Sequence, residues 1–375
     1  MLPQKFSISH QIVLSFVAVI LLGTVLLHLP SSSGEPEKVK LRDCLFTATS
    51  AVCVTGLTVK DTGTEFSFAG QAIILGLIQI GGLGILTFSN WLLISFQGRR
   101  TDFETRLLLS ESHGSLPHVE PVRLLKQIVF YTLLCEAVGA LLLYLSFSRD
   151  HPSAHAAWLA VFHSVAAFCN AGFSLFPDSL IGYRGDLTVN LTIDILIILG
   201  GLGFLVFSDI TEYFTRRRPD GRRRRLSFHS RVVLWTTVTL ISVFTGVFLI
   251  LEWNNTMAGL PMKDRLLASL MLSITPRTAG FNSVDTGALT NITLCVLIFL
   301  MGIGASPGST GGGIKTTTFA VLVALMWSRV RSTLRIELLG RAIPLNVLAK
   351  TVAVGAAYAL VTIISVMIME VLESP

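Results

Sequence analysis

Charge is scarce in this sequence, and its cysteines are few and scattered. Only 14% of the 375 residues are charged, 51% are hydrophobic, and the mean hydropathy is +0.68. This composition excludes an ordinary soluble domain, in which about a quarter of the residues carry charge. The five cysteines include no CxxC pair. A disulfide framework or a zinc site is therefore not expected, and the cysteines are interpreted as small buried hydrophobic residues.

Long apolar runs are what the sequence has in abundance. A helix needs about 20 apolar residues to cross a hydrocarbon core of ~30 Å. The predicted spans are 11–29, 70–96, 124–147, 187–213, 231–252, 288–328 and 347–371. The chain is therefore expected to be an all-α polytopic membrane protein. The first run is expected to stay as a span, because no small-residue cleavage site of a signal peptide follows it.

Lysine and arginine concentrate in three of the loops between these runs. Segments 97–126, 214–231 and 329–350 contain five, eight and five of the 29 basic residues, and Lys5 precedes the first span. The positive-inside rule predicts that the N-terminus and these loops face the cytoplasm, with the chain in the plasma (inner) membrane. The run RRRPDGRRRR at 216–225 has no interleaved aromatic residues. Contact with anionic membrane lipids is therefore predicted there, and nucleic acid is not.

Three short segments share one arrangement of residues. Each is a short apolar helix followed by small residues, a glycine and a large apolar residue. They are FTATSAVCVTGL (46–57), FHSVAAFCNAGF (162–173) and SLMLSITPRTAGF (269–281). A second motif follows each of them, as IQIGGLGILTF (78–88), IILGGLGFLVF (197–207) and FLMGIGASPGSTGGGIKTTT (299–318). Two motifs recurring in one order predict repeated units of span, re-entrant helix, glycine loop and span. The two GGLG motifs are interpreted as close helix packing.

The three glycine loops are predicted to line a cation pathway. Irregular backbone at membrane depth is tolerated only where it is buried in protein or lines an aqueous path. Rings of backbone carbonyls can replace the hydration shell of a monovalent cation, and glycine permits the positive φ that turns carbonyls inward. The alternative is that small residues only let helices pack. The predicted filter residues, whose carbonyls would bind K⁺, are Val54, Thr55, Gly56, Asn170, Ala171, Gly172, Thr278, Ala279 and Gly280.

The motifs SAVCVTGLTV, AAFCNAGFSLF, ITPRTAGFNSVD and GSTGGGIKTTT resemble those of the Trk/Ktr/HKT superfamily of potassium transporters. The resemblance is close to the Ktr-type membrane subunit and covers nearly the whole chain from about residue 10. It implies span–pore helix–span units around a pseudo-fourfold pore, with filter glycines at Gly56, Gly172 and Gly280. It implies K⁺ as the transported ion, because plant relatives that carry sodium have serine where Gly56 stands. It also implies a cytoplasmic nucleotide-binding regulatory subunit and a homodimer, and no covalent cofactor is expected.

The repeats divide the chain into four expected units. These are residues 1–98, 99–215, 216–328 with a broken second span, and 329–375. The last unit has a span that begins near Asn346, but no pore helix or glycine loop follows it. The fourth unit is therefore expected to be incomplete. Either the sequence is a fragment or truncated product, or a partner completes the ring.

The glycine-rich stretch inside 288–328 is predicted to break that span and to act as a gate below the filter. If it were helical throughout, 288–328 would be about twice as long as a bilayer is thick. The predicted gate residues are Gly304, Gly308, Ser309, Thr310, Gly311, Gly312, Gly313 and Lys315. A passive kink is the alternative. A Walker A loop is excluded because Ile314 separates Gly313 from Lys315. A lysine inside a membrane is functional by default, and Lys315 is expected either to repel cations or to contact a carbonyl.

Two other classes of function stay open at this point. Broken helices and glycines at membrane depth also build secondary transporters, so a Na⁺-coupled K⁺ symporter or a Na⁺-permeable transporter is the alternative. The three repeats share one orientation, which favours a pore. A membrane-embedded enzyme is not expected, because His163, Asp194 and Glu136 stand alone instead of forming a cluster.

Overall fold

The computed structural model describes residues 8–34, 39–98, 121–215, 225–332 and 335–373. Several of the basic residues that orient the chain lie outside this part. They include Lys5, the segment 99–120 and most of the run 216–225. The predictions of lipid contact and of N-terminal orientation that depend on them stay predictions.

The described residues form twelve α-helices and one small β-hairpin. The helices are α1 Ile8–Leu27, α2 Leu41–Val52, α3 Phe68–Gly98, α4 Pro121–Phe147, α5 Ser153–Phe168, α6 Leu187–Leu202, α7 Phe204–Thr215, α8 Phe228–Leu251, α9 Met262–Ile274, α10 Asn291–Gly302, α11 Thr316–Val330 and α12 Leu345–Glu373. The strands β1 (Glu337–Leu338) and β2 (Arg341–Ala342) pair antiparallel. The hairpin was not predicted, but the all-α class is confirmed.

Length and composition mark several helices as membrane spans. In the described residues three single helices are long and apolar enough to cross a membrane, and they are Lys126–Phe147, Phe228–Leu251 and Leu345–Leu372. The bent pair α6–α7 is long and apolar enough when its two helices are taken together. Large apolar side chains on these helices point outward, as at Phe130, Ile250 and Val366. Such faces suit a hydrocarbon solvent, because lipid does not penalise exposed apolar surface. The chain is a polytopic helical membrane protein, as predicted.

Each predicted re-entrant segment contains a helix too short to cross a bilayer. α2 has 12 residues, α5 has 16 and α9 has 13. At 1.5 Å per residue they measure about 18 to 24 Å, and each ends at a non-helical loop. α2 packs on α1 and α3, α5 packs on α4 and α6, and α9 packs on α8. Each short helix therefore packs on the span before it, and contacts between α3 and α5 and between α6 and α9 join successive copies.

The GGLG motifs bring the spans close to the ends of these short helices. A Cβ placed on Gly81 of α3 would collide with the carbonyl oxygen of Val52, the last residue of α2. A Cβ placed on Gly200 of α6 would collide in the same way with the carbonyl oxygen of Phe168, the last residue of α5. The interpretation of these glycines as packing residues is confirmed, because only a missing side chain permits this backbone approach.

One expected span is not continuous. Residues 187–213 were predicted as a single helix, but α6 and α7 meet at an angle of 99° at Gly203, which has a φ of 82°. The cause lies in another part of the chain. A Cβ on Gly203 would lie 2.7 Å from the carbonyl oxygen of Pro307, and the Phe204 N–H donates to the carbonyl of Gly308 at 3.1 Å. A carbonyl from the glycine-rich stretch thus caps the N-terminus of α7, where a helix leaves N–H groups unpaired.

Candidate functional site

Two of the three candidate filter loops begin with the same helix ending. After α2, the Thr55 N–H donates to Ser50 O at 2.8 Å and the Val54 N–H donates to Ala51 O at 3.2 Å. The corresponding two bonds recur after α5, at 2.8 and 3.0 Å. This is the Schellman ending, in which a residue in the left-handed conformation stops the helix and turns the chain away from its axis.

Every candidate filter loop contains two left-handed residues separated by one that is not. The pairs, with their φ angles, are Val54 (55°) and Gly56 (80°), Asn170 (59°) and Gly172 (69°), and Thr278 (78°) and Gly280 (82°). The left-handed conformation costs a non-glycine residue roughly 1–2 kcal/mol, and β-branched residues adopt it rarely. Such strain persists where the surrounding structure imposes it, typically at functional sites. Reversing the handedness at every other residue turns successive carbonyls to the same side of the strand.

The three loops meet at their glycines. A Cβ on Gly56 would lie 2.5 Å from the carbonyl oxygen of Ala171, and one on Gly172 would lie 2.7 Å from the carbonyl oxygen of Ala279. A Cβ on Gly280 would lie 3.1 Å from the Cα of Gly172. The second loop therefore lies between the first and the third, and there is no space for a side chain at the meeting point. All nine predicted filter residues belong to these three adjoining loops.

The third loop reaches this position by a different helix ending. Thr275 closes α9, and its carbonyl accepts from the N–H groups of both Ala279 (2.9 Å) and Gly280 (3.3 Å). The Thr275 hydroxyl donates to the carbonyl of Phe281 at 2.6 Å. Pro276 follows Thr275 and has no N–H to donate, so the regular helical pattern cannot continue. The threonine thereby ties the end of the helix to the residue just after the glycine.

A cavity of 280 Å³ is lined by all three glycines. Each loop adds an aspartate to its lining, five or six residues after the glycine, at Asp61, Asp178 and Asp285. The carboxylates of Asp61 and Asp285 accept backbone N–H groups of Thr64 and Gly287 at 2.8 and 2.9 Å. Acidic groups around a concave mouth concentrate cations. We call this cavity the vestibule.

The predicted gate loop contacts the filter loops at the residues that precede the glycines. A Cβ on Gly311 would collide with the hydroxyl oxygen of Thr278 and would lie 3.5 Å from the amide of Asn170. The vestibule, by contrast, is lined by the glycines and by residues that follow them. The gate loop and the vestibule therefore adjoin different parts of the filter loops.

The gate loop is packed against the α6–α7 break. The Ser306 N–H donates to Gly201 O at 2.9 Å and the Thr310 N–H donates to Gly200 O at 3.3 Å. Five of the predicted gate residues are buried, namely Gly304, Gly308, Ser309, Thr310 and Gly311. Gly312 and Gly313 are exposed, and Lys315 is half-buried, with its ammonium donating to the carbonyl of Gly311 at 2.6 Å. Of the two alternatives for Lys315, this bond agrees with contact to a carbonyl, and its role in gating stays a prediction.

The sequence analysis did not predict three features of this site. The left-handed conformations of Val54 and Thr278 contradict the usual preference of β-branched residues, so no local pattern indicates them. The α6–α7 break depends on residues about 100 positions away. The vestibule aspartates, however, follow all three glycines at nearly one spacing, and the repeat alignment could have identified them.

Repeated spans and short re-entrant helices whose loops meet at one point define a multi-pass membrane protein with pore loops. A family model described as "Cation transport protein" (TrkH) matches residues 3–373. The chain therefore belongs to the TrkH family of cation transport proteins. Its interpretation as an ion transporter instead of an enzyme is confirmed by this membership.

Individual relatives agree with the family assignment. The chain is 35% identical over 371 residues to the "Ktr system potassium uptake protein B" of Bacillus subtilis, covering 98% of this chain and 81% of that protein. It is 34% identical over 372 residues to the "Potassium/sodium uptake protein NtpJ" of Enterococcus hirae, covering 99% and 81%. The crystal structure of the potassium transporter TrkH from Vibrio parahaemolyticus matches at a TM-score of 0.72 and 20% identity, covering 96% of this chain and 72% of that one. The structural likeness shows a common fold.

Proposed function

We propose that this chain mediates potassium uptake across the plasma membrane through a filter of backbone carbonyls. The observation that carries the proposal is the repeated pair of left-handed residues in three loops that meet at Gly172. The alternating handedness supports an arrangement in which carbonyls of the nine predicted residues face a shared axis. The carbonyls would replace the hydration shell of K⁺, and neutral side chains leave a monovalent ion as the fitting cargo.

Potassium is proposed as the preferred ion, and sodium permeation or coupling is the second candidate. Glycine at position 56 leaves the carbonyl ring without the added hydroxyl that accompanies sodium transport in plant relatives. One relative is named a potassium uptake protein and another a potassium/sodium uptake protein, so both candidates have support from the comparisons.

The gate loop is proposed to control access to the filter. Gly311 lies directly against Thr278, so outward or inward movement of the loop changes the space beside the third filter loop. The buried part of the loop makes hydrogen bonds to the α6–α7 break, which supports an ordered loop, and a passive kink is the alternative. A loop that moves between two discrete positions, or between order and disorder, can act as a gate.

The chain is further proposed to be the membrane subunit of a multi-component system. The name "Ktr system potassium uptake protein B" supports this reading. We infer a homodimer with a cytoplasmic nucleotide-binding regulatory subunit, and an orientation with the N-terminus and the basic loops in the cytoplasm. The proposed repeat units are 1–98, 99–215, 216–328 and 329–375.

Substitution of Gly172 by serine tests the filter proposal. A serine there must adopt a left-handed conformation and occupy space beside the Ala279 carbonyl, so the ratio of K⁺ to Na⁺ uptake is expected to fall. Gly259→Ser is the matched control, because Gly259 has a φ of 75° and nothing within 4 Å of an added Cβ. Both variants carry the same backbone strain, but only Gly172→Ser should change selectivity. Unchanged selectivity in Gly172→Ser, at equal abundance in the membrane, would refute the filter.

A further inference from the structure

A histidine is buried behind the second candidate filter loop. His163 lies on α5, nine residues before Gly172, and its exposed fraction is 0%. Both ring nitrogens have partners. Nδ1 lies 2.8 Å from the carbonyl oxygen of Leu159, and Nε2 lies 3.1 Å from Ser174 Oγ and 3.4 Å from the backbone nitrogen of Leu175. The ring thus joins the pore helix to the segment that follows the filter glycine.

The partners of His163 determine which nitrogen carries the proton. A carbonyl oxygen can only accept, so Nδ1 must donate to Leu159. The Leu175 N–H can only donate, so Nε2 must be the unprotonated acceptor. The Ser174 hydroxyl then also donates to Nε2, while its oxygen accepts the Phe176 N–H at 3.0 Å. One neutral tautomer is compatible with all of these bonds, with the single lone pair of Nε2 shared between the Ser174 hydroxyl and the Leu175 N–H. The histidine thus holds Ser174 and Leu175 directly, and Phe176 through Ser174.

Aromatic rings enclose the histidine and connect it to a second filter loop. Phe176 stacks on the ring with centroids 4.8 Å apart, and Phe147 contacts it edge-on at 5.8 Å. Phe281, which directly follows Gly280, lies 6.4 Å away. His163 therefore supports the second loop by hydrogen bonds and touches the third loop through Phe281.

The segment that His163 holds is confined from the other side as well. A Cβ on Gly63, in the loop before α3, would collide with the carbonyl oxygen of Leu175. Leu175 is thus held at its N–H by His163 and enclosed at its carbonyl by Gly63. The residues nine before the other two filter glycines are Thr47 and Met271, both buried. Neither provides a ring nitrogen, so among these three described positions only His163 can give this support.

We infer that His163 is a positioning residue for ion selectivity, which rests on the proposed function of the glycine loops as a filter. Its Nε2 fixes the segment Ser174–Phe176 and thereby the position of the Gly172 carbonyl. A carbonyl ring that is free to contract accommodates the smaller Na⁺ more readily, so loosening this segment weakens discrimination.

The test distinguishes the contribution of Nε2 as a hydrogen-bond acceptor from the contributions of the size and the aromatic stacking of the ring. In the full-length chain with its native partners, His163→Gln places an oxygen near the position of Nε2, His163→Asn is too short to reach it, and His163→Phe keeps only the stacking. K⁺ and Na⁺ uptake are measured as separate KM and Vmax values at equal membrane abundance. His155→Gln is the matched control, because His155 is an exposed residue of the same helix.

His163→Gln and His155→Gln are expected to retain wild-type discrimination. His163→Asn and His163→Phe are expected to lower it about tenfold, since losing one or two hydrogen bonds shifts an equilibrium by about that factor. Ser174→Ala removes the hydroxyl that donates to Nε2 and accepts the Phe176 N–H, and it leaves the Leu175 bond to Nε2 in place. It should give a smaller fall and serves if the His163 variants do not accumulate. Wild-type discrimination in His163→Phe, equal behaviour of the Asn and Gln variants, or no change in Ser174→Ala would each overturn the inference.

Comparison with Gly172→Ser tells the two proposals apart. If Gly172→Ser also leaves discrimination unchanged, the filter proposal fails together with the inference about His163. If Gly172→Ser alters discrimination and the His163 variants do not, only the inference about His163 is wrong.

Discussion

The ammonium of Lys315 donates a hydrogen bond of 2.6 Å to the carbonyl of Gly311, and Gly311 lies against Thr278 of the third filter loop. Lys315, the residue just before α11, thus holds the gate loop beside the proposed filter. A charged donor in this position stabilises one arrangement of the loop over others. Three consecutive glycines, from Gly311 to Gly313, allow the backbone to move if that bond is removed.

Lys315→Met should raise the K⁺ flux of the resting transporter. A hydrogen bond to a charged group contributes about 1.5–3 kcal/mol, so its loss is expected to favour the open loop roughly tenfold or more. Flux is measured in K⁺-uptake-deficient cells without stimulation. Lys350→Met, which removes an exposed charge from α12, is the control and should behave as wild type. If the resting K⁺ flux of Lys315→Met is as low as that of the control, this bond does not hold the gate closed.

The vestibule aspartates should accelerate K⁺ entry at low ionic strength. Replacing Asp61, Asp178 and Asp285 together by asparagine removes three negative charges and is expected to raise the KM for K⁺ several-fold at low salt. The difference should disappear at high ionic strength, where a Debye length of about 3 Å at 1 M screens the charges. Glu65→Gln, which removes a charge outside the vestibule lining, provides the comparison. A rise in KM that persists at high salt would point to direct ion binding instead of steering.

Gly81→Ala should disrupt the first repeat, while Gly76→Ala in the same helix should be tolerated. The added methyl at Gly81 would collide with the Val52 carbonyl at the end of α2, whereas nothing lies within 4 Å of an added Cβ at Gly76. An alanine at Gly76 should stabilise the helix by up to about 1 kcal/mol. Melting temperature in detergent and K⁺ uptake are the measurements. Equal behaviour of the two variants would mean that the close approach at Gly81 is not required.

Glu252 should stabilise the fold in a pH-dependent manner. It is buried at the end of α8, and burial alone would raise its pKa. Hydrogen bonds from Thr293, Thr290, Asn255 and Thr256 outweigh burial and lower the pKa from 4.5 to about 2. The carboxylate accepts the Thr290 N–H at 3.0 Å, which joins α8 to the start of α10.

The sign of the Glu252 effect follows from its lowered pKa. The stabilisation is fully present above the unfolded-state pKa of 4.5 and is lost as the pH falls toward 2. It is expected to be roughly 2 kcal/mol after allowance for solvent screening. Glu252→Gln should therefore lower the melting temperature at pH 7, and its difference from wild type should shrink below pH 4.5. Glu337→Gln, at an exposed position in β1, is the control. A difference that stays constant down to pH 2 would contradict this role.

The repeats explain how much of the site could be predicted from the sequence. Gly56, Gly172 and Gly280 each follow a short apolar helix within four to six residues. The conformational freedom of glycine indicates its use at such a position. Lys315 was expected either to repel cations or to contact a carbonyl, because a lysine inside a membrane is costly and functional by default. His163 was dismissed as an isolated residue, because its partners Ser174 and Leu175 come close only after the chain has turned back at the glycine loop.

The sequence by itself determined the membrane environment, the helical class, the repeated order of elements and the residues of the glycine loops. These properties follow from local composition and spacing, which act over a few turns of helix. Only the tertiary structure decided that Val54 and Thr278 are left-handed, that α6 and α7 meet at 99°, and that the gate loop lies against both Gly200 and Thr278. The break and the gate-loop contacts join different repeats, whereas Val54 is left-handed at the Schellman ending of α2. The backbone accepts a broken helix where a distant carbonyl or N–H supplies the missing hydrogen bond, and it accepts a left-handed residue where the surrounding structure imposes it.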